Sequence, residues 1–206
     1  MIVVNFATGH YKKGQTRLKN SLGNTPFLGF TEYEQIGSPT QQESPYQFKI
    51  HAIEKGYEID PIVLWCDASL WRVGDLSKIE SIIKKNGYFM EEAGHWVRDW
   101  CKPETKEWFS LTEDELSRFN MFSAGLLGLD FNHPDAQLWF SAWKVSAQAG
   151  HFKGSYSNHR HDMTCGSIIA QRMGFTYQRG GSHLSYIGNG YSRPEPGTVF
   201  HLQGIV

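Results

Sequence analysis

The chain has no surplus of positive charge: 20 Lys and Arg face 21 Asp and Glu across 206 residues, for a formal charge of -1. A broad surface for DNA or RNA phosphates is therefore not expected. No apolar run reaches the roughly 18 to 20 residues that a bilayer crossing requires, and the opening MIVVNFATGHYKKG carries no charged leader ahead of a signal-type core. The expectation is a soluble, cytoplasmic protein with no transmembrane segment. Cysteine is sparse. Cys66, Cys101 and Cys165 are odd in number and widely spaced, which suits neither a disulfide framework nor a paired zinc site and points to a reducing compartment. The 21 glycines and 8 prolines show no repeat period, so solenoid architectures are excluded.

Short β-branched runs alternate with amphipathic segments. Ile2 to Ala7 and Pro61 to Cys66 read as strands buried on both faces. Between them, residues 8 to 46 are polar and weakly patterned, with a short helix expected near Gln15 to Leu22 and then loop; stretches of this kind tend to border functional sites. Helices are expected from Tyr46 to Gly56, from an Asp75 cap to Asn86, from a capping box Thr112-Glu113-Asp114-Glu115, and from Pro134 to Gly150 with Leu138, Trp139, Ala142 and Val145 buried. A last helix is expected after an Asp162 cap, burying Cys165, Ile168, Ile169 and Met173. Gly87 to Met90 reads as a short strand, and Met121 to Leu129 as one strand with two glycines where something approaches the backbone closely. The last thirty residues, with Gly188, Gly190 and Pro194, read as short strands and loops. No linker-like composition divides the chain. The expected fold class is α/β, a mixed and mostly parallel central sheet flanked by helices, in a single domain over residues 1–206.

Three places concentrate chemistry. Asp67 follows a fully apolar strand, so a carboxylate stands at the strand's carboxyl end, where ligands bind in open α/β sheets. It can hold Mg²⁺ or Mn²⁺ against phosphate oxygens, or simply cap a turn. Asn158-His159-Arg160-His161-Asp162 can supply a base, a phosphate-binding cation and a metal ligand; Asp162 can equally be an N-cap. Zinc hydrolases with a similar histidine pair carry Asp-His where this chain has Met163-Thr164. His183, in a glycine-rich loop, can reach back to a metal, whereas His201 reads as a core or edge residue. Trp71, Trp96, Trp100 and Trp108 fall in less regular segments and offer faces for sugars or bases.

Taken in order, Tyr46-Gln47-Phe48-Lys49, Val63-Leu64-Trp65-Cys66-Asp67-Ala68-Ser69, Phe122-Ser123-Ala124-Gly125-Leu126-Leu127-Gly128 and His161-Asp162-Met163 resemble nucleotide-sugar glycosyltransferases of the GT-A fold, over roughly residues 2 to 175. The resemblance implies a sugar transferred from a nucleotide-sugar donor to a hydroxyl-bearing acceptor such as a glycan. It implies a Mn²⁺ or Mg²⁺ ion on the diphosphate, held by an Asp-any-Asp motif whose first residue is Asp67 and whose second is replaced by Ser69. His183 would be a further metal ligand and Asp162 the catalytic carboxylate. Thr8, Lys49, Asp67, Ser69, Ser123, Ala124, Gly125 and Arg160 would bind donor. Two other readings stand beside it: a metal-dependent hydrolase centred on His159, His161 and Asp162, and a carbohydrate-binding module with a degenerate site.

Overall fold

The computed structural model describes residues 1–187 and 196–203, so Gly188, Gly190 and Pro194 lie outside the described residues. The elements are β1 (Ile2–Phe6), α1 (Lys12–Ser21), β2 (Phe27–Phe30), α2 (Phe48–Tyr57), β3 (Ile62–Cys66), β4 (Leu70–Arg72), α3 (Ser77–Asn86), β5 (Tyr88–Phe89), β6 (Glu92–Trp96), α4 (Pro103–Trp108), α5 (Glu113–Arg118), β7 (Asn120–Phe122), β8 (Leu126–Asp130), α6 (Pro134–Gln148), α7 (His161–Arg172), β9 (Leu184–Tyr186) and β10 (Phe200–Leu202). The central sheet runs β2-β1-β3-β8-β5. β1 is parallel to β2 and β3, and β8 is antiparallel to β3 and β5, so one strand opposes the other four. The expected mixed, mostly parallel sheet is what forms. Two small sheets, β4-β10-β9 and the β6-β7 pair, complete the fold.

β1 and β3 are buried along their whole length, as their apolar sequences require of strands covered on both faces. One face of the sheet packs Val4, Val63, Trp65 and Leu127 with Ile53, Trp139, Trp143 and Cys165. The other packs Val3, Leu64 and Leu126 with Leu18, Ile79 and Ile83. The three cysteines are free and buried. Among the described residues no helix is long and apolar enough to cross a membrane.

Four local expectations are corrected. β2 was expected as loop; it forms by parallel pairing with β1 although it is only half-buried and broken by Gly29. Met121 to Leu129 is two strands, because Ser123-Ala124-Gly125 turns the chain between β7 and β8. Helix α6 buries Ala136, Trp139, Phe140, Trp143 and Ala147, leaving Leu138 and Val145 exposed. Its two indoles set the face, since each buries a large ring and satisfies its N–H on α7: Trp139 Nε1 donates to the Gly166 carbonyl (3.0 Å) and Trp143 Nε1 to the Asp162 carbonyl (2.9 Å). Finally, Asp162 lies inside the first turn of α7 and makes no cap. Thr112 and Glu115 form the expected reciprocal box, whereas the N-cap position of α3 is Leu76, and Asp75, one residue earlier, accepts from the Ser77 backbone and hydroxyl.

The register between β3 and β8 places the site. Cys66 pairs with Leu126, which brings the turn before β8 against the residue after β3, and the Asp67 N–H donates to the Gly125 carbonyl (2.8 Å). Gly128, further along β8, lies under α3: a Cβ there would stand 2.4 Å from Ile83 Cδ1 and 3.1 Å from Phe89 Cβ. Gly128→Val is expected to cost roughly 1 to 3 kcal/mol through overpacking. Urea unfolding should show a lower midpoint with an unchanged slope; an unchanged midpoint would mean that this approach is not tight.

Candidate active site

The carboxyl end of β3 delivers Asp67, the start of α7 delivers Asp162, and the first turn of α2 delivers Lys49 between them. The Lys49 ammonium is buried. It lies 3.3 Å from Asp67 Oδ1 and 2.9 Å from Asp162 Oδ2, and it donates to the Ala124 carbonyl at 2.9 Å. The contact with Asp162 is a charge contact outside hydrogen-bonding angles. Two carboxylates thus share one ammonium and leave a negative charge in excess when both are ionised. Burial by itself would pull the Lys49 pKa down, but the charges of Asp162 and Asp67 outweigh it and raise it. For Asp162 burial dominates: its pKa is raised, with Lys49 opposing the rise. Tyr46 and Trp65 present their rings to the same ammonium, at 5.2 and 5.6 Å.

Asp67 differs from its partner in access. Its side chain is 34% exposed, against 5% for Asp162. Oδ1 also accepts from the Trp65 indole N–H (2.8 Å), so the side chain serves the site and does not cap the turn; Oδ2 accepts no hydrogen bond among the described residues. Beside Oδ2 the chain has Gly125, where a Cβ would come within 3.1 Å. Glycine here keeps that oxygen open.

Two clefts meet at this carboxylate. The first, of about 310 Å³, runs along the end of β1 and is lined by Thr8, Tyr11, Tyr33, Phe48, Asp67 and Ser69 among others. The second, of about 270 Å³, is lined by Lys49, Asp67, Ser123, Ala124, Gly125, Arg160 and Asp162, with His95, Tyr156 and Tyr186 on its walls. Among the described residues the clefts share Tyr46 and Asp67 alone. Every residue expected to bind donor therefore lines one cleft or the other. Tyr46 (φ 60°) and His161 (φ 49°) hold left-handed backbone conformations that non-glycine residues avoid, and their rings lie 5.2 Å apart beside Lys49 and Asp162.

His183 is not brought to Asp67. Its ring Nδ1 faces Glu91 Oε2 at 3.1 Å, and it lines neither cleft. Glu91, which sequence reasoning passed over, is a buried anchor that also accepts backbone N–H groups of Gly181, His183 and Leu184. Nothing in the local sequence separates such a glutamate from a solvated one. His201 lies in β10 with Nε2 unpartnered. Trp71 and Trp100, expected as platforms for sugars or bases, pack against Arg17 and Arg160 instead, and Trp108 stacks on His151.

Among the described residues the histidine cluster is not grouped as a metal centre. His159 Nε2 lies 2.7 Å from the His151 carbonyl and His161 Nδ1 2.8 Å from the Phe152 carbonyl, so each ring spends a nitrogen on backbone. Burial pushes the His159 pKa down to about 4. Among the described residues no three His, Cys, Asp or Glu side chains are grouped to hold a metal, and the hydrolase reading is not favoured.

Lys49→Met leaves two acids facing each other without their shared cation. It is expected to destabilise the protein at pH 7 by roughly 3 to 5 kcal/mol. The Asp162 pKa, already raised in the folded state, rises further, so the folded chain binds a proton that the unfolded chain does not. Stability lost at neutral pH should then return as pH falls toward the unfolded aspartate value near 4. Thermal melts of both proteins from pH 4.5 to 8 check this; a gap that is constant with pH would contradict it.

No family model and no curated protein matches the chain. Solved structures do match it. Mouse xyloside xylosyltransferase 1, in its apo form, is similar with a TM-score of 0.55 and 8% identity, covering 98% of this chain and 97% of its own. The apo structure of the WbbM bifunctional glycosyltransferase has a TM-score of 0.56 and 10% identity over 92% of this chain and 40% of its own. A glycosyltransferase involved in glycosylation of the major capsid of PBCV-1 has a TM-score of 0.54 and 12% identity over 98% and 92%. At such identities the likeness is one of fold. The chain has a GT-A-like fold, shared with these glycosyltransferase structures.

Proposed function

We propose that the chain transfers a sugar from a nucleotide-sugar donor to a hydroxyl-bearing acceptor. The observation that carries this is a half-open carboxylate, Asp67, at the meeting point of two clefts, with a second and buried carboxylate, Asp162, on the far one. The first cleft suits the nucleoside, because Tyr11, Tyr33 and Phe48 offer aromatic faces to a base while Thr8 and Ser69 offer hydroxyls. The diphosphate then crosses at Asp67 and the sugar rests on the Ser123-Ala124-Gly125 turn, where the acceptor hydroxyl meets Asp162. The acceptor oxygen forms the new bond to the anomeric carbon and its proton passes to Asp162. The bond to the diphosphate oxygen breaks, and its electron pair leaves with the nucleoside diphosphate. A raised pKa suits Asp162 to the task, since a base too acidic takes up no proton. Lys49, engaged by both acids, keeps the two carboxylates in register.

The resemblance implies Mn²⁺ or Mg²⁺. The residues present fit such an ion at one point: Asp67 Oδ2, without a hydrogen-bond partner among the described residues and kept open by Gly125, with Ser69 on the same cleft. Divalent ions of this kind need only one or two protein carboxylates when phosphates complete their shell. When bound, the ion would neutralise charge on the departing diphosphate.

In the presence of Mn²⁺, at least one of UDP, GDP, ADP and CDP should raise the melting temperature by about 5 to 10 °C at a hundredfold excess over its Kd. Asp67→Ala should remove that shift while the protein stays folded. Asp162→Asn should keep the shift and lower kcat on the order of 10² to 10⁴-fold. No shift with any of the four nucleotides would overturn the reading, and nucleotide binding with neither transfer nor donor hydrolysis would leave a binding module in its place.

A further inference from the structure

Arg160 stands out among the charges of the second cleft because no counter-ion faces it among the described residues. Asp67 and Asp162 share Lys49, and Asp99 is paired with Arg98 at 3.5 Å, while no carboxylate among the described residues pairs with Arg160. Its Nε is buried and makes no hydrogen bond. An unsatisfied buried donor is costly, so a site that carries one is completed by a group that the described residues do not provide.

The guanidinium is also held in place. It lies over the ring of Trp100 at 3.7 Å and over that of Tyr156 at 4.3 Å. Its backbone N–H donates to the Trp100 carbonyl (3.3 Å) and to the Thr164 hydroxyl (3.1 Å), which fixes the start of α7 against the segment carrying that indole. A guanidinium with rings on it keeps its donors in its own plane, a geometry that matches the two oxygens of a carboxylate or phosphate. The wall it occupies is that of His95, Tyr156 and Tyr186; the charge of Arg160 is felt by His95, whose pKa burial and Arg160 together lower. Among the described residues that wall lines the second cleft and not the first, and the two clefts share Tyr46 and Asp67.

The geometry points to Arg160 as the residue that binds an anionic group, a carboxylate or a phosphate, on the acceptor, in place of the donor role implied by resemblance. This rests on the glycosyltransferase reading above and adds a substrate class to it: acidic acceptors over neutral ones. The tyrosines beside it supply apolar faces for the sugar ring that bears the anion.

The test measures kcat/KM for three acceptors: a methyl glucoside, the corresponding methyl glucuronide, and the methyl glucoside phosphorylated on its primary hydroxyl. UDP-glucose, UDP-galactose, UDP-xylose and GDP-mannose serve as donors, and each donor is also followed for hydrolysis without acceptor. The wild-type protein should favour one anionic acceptor over the neutral one by about tenfold, the arm that wins telling carboxylate from phosphate. R160Q should bring that ratio close to one, and R160K, which keeps the charge but loses the planar fork, should restore part of it. Donor hydrolysis by the wild-type protein with equal transfer to all three acceptors, or with none, overturns the inference and leaves the transferase reading standing. A preference that survives in R160Q while the donor KM rises also overturns it, and assigns the arginine to the diphosphate. Neither hydrolysis nor transfer with any of the four donors removes the transferase reading and this inference together.

Discussion

A buried ammonium that serves two carboxylates is the constraint on which the rest of this molecule depends. Lys49 ties the first turn of α2 to the carboxyl end of β3, to the turn between β7 and β8 through the Ala124 carbonyl, and to the start of α7. Removing such a charge from water costs several kcal/mol, and only partners with good geometry offset that cost. The four segments are therefore tied to one another through this one ammonium.

The same contact makes the two acids unequal. Asp162 is enclosed, its pKa raised by burial, with Trp143 fixing its backbone carbonyl. Asp67 is one-third exposed, with one oxygen committed to Lys49 and Trp65 and the other open beside Gly125. Paired carboxylates in different environments commonly divide their labour in catalysis. In the proposed transfer the open acid meets the charged donor and the enclosed acid handles the proton. The strained backbone at Tyr46 and His161 is located at this contact, which is where a fold tolerates unfavourable dihedrals in exchange for placement.

How much of this is legible in the sequence depends on whether the signal is local. The apolar run ending at Asp67 announces a central strand and a carboxylate at its lip, and both are found there, because burial on both faces leaves no other composition. The capping box at Thr112 reads correctly for the same reason: its partners are three residues apart. Ser123-Ala124-Gly125 is misread as strand because a turn that is itself packed against the site looks as apolar as its flanks. The face of α6 is misread because counting apolar residues ignores that Trp139 and Trp143 bury more area than Leu138 or Val145. Asp162 has the pattern of an N-cap, and only the distant Lys49 shows why its side chain goes elsewhere. Glu91 is invisible for the converse reason, and Arg160, legible as an anion-binding cation, gives no sign in the sequence of how it is held. Whether a charge is buried, paired or left open is decided by segments far away in the chain.

The central claim is that Lys49 stays between its two acids while the donor lies across Asp67. A crystal structure with bound UDP tests it most directly. The account predicts the uracil ring among Tyr11, Tyr33 and Phe48, the diphosphate beside Asp67, and the ammonium still in contact with both Asp67 and Asp162. A nucleotide bound away from these clefts, or a Lys49 side chain that has left Asp162 to grip the phosphates, would contradict it.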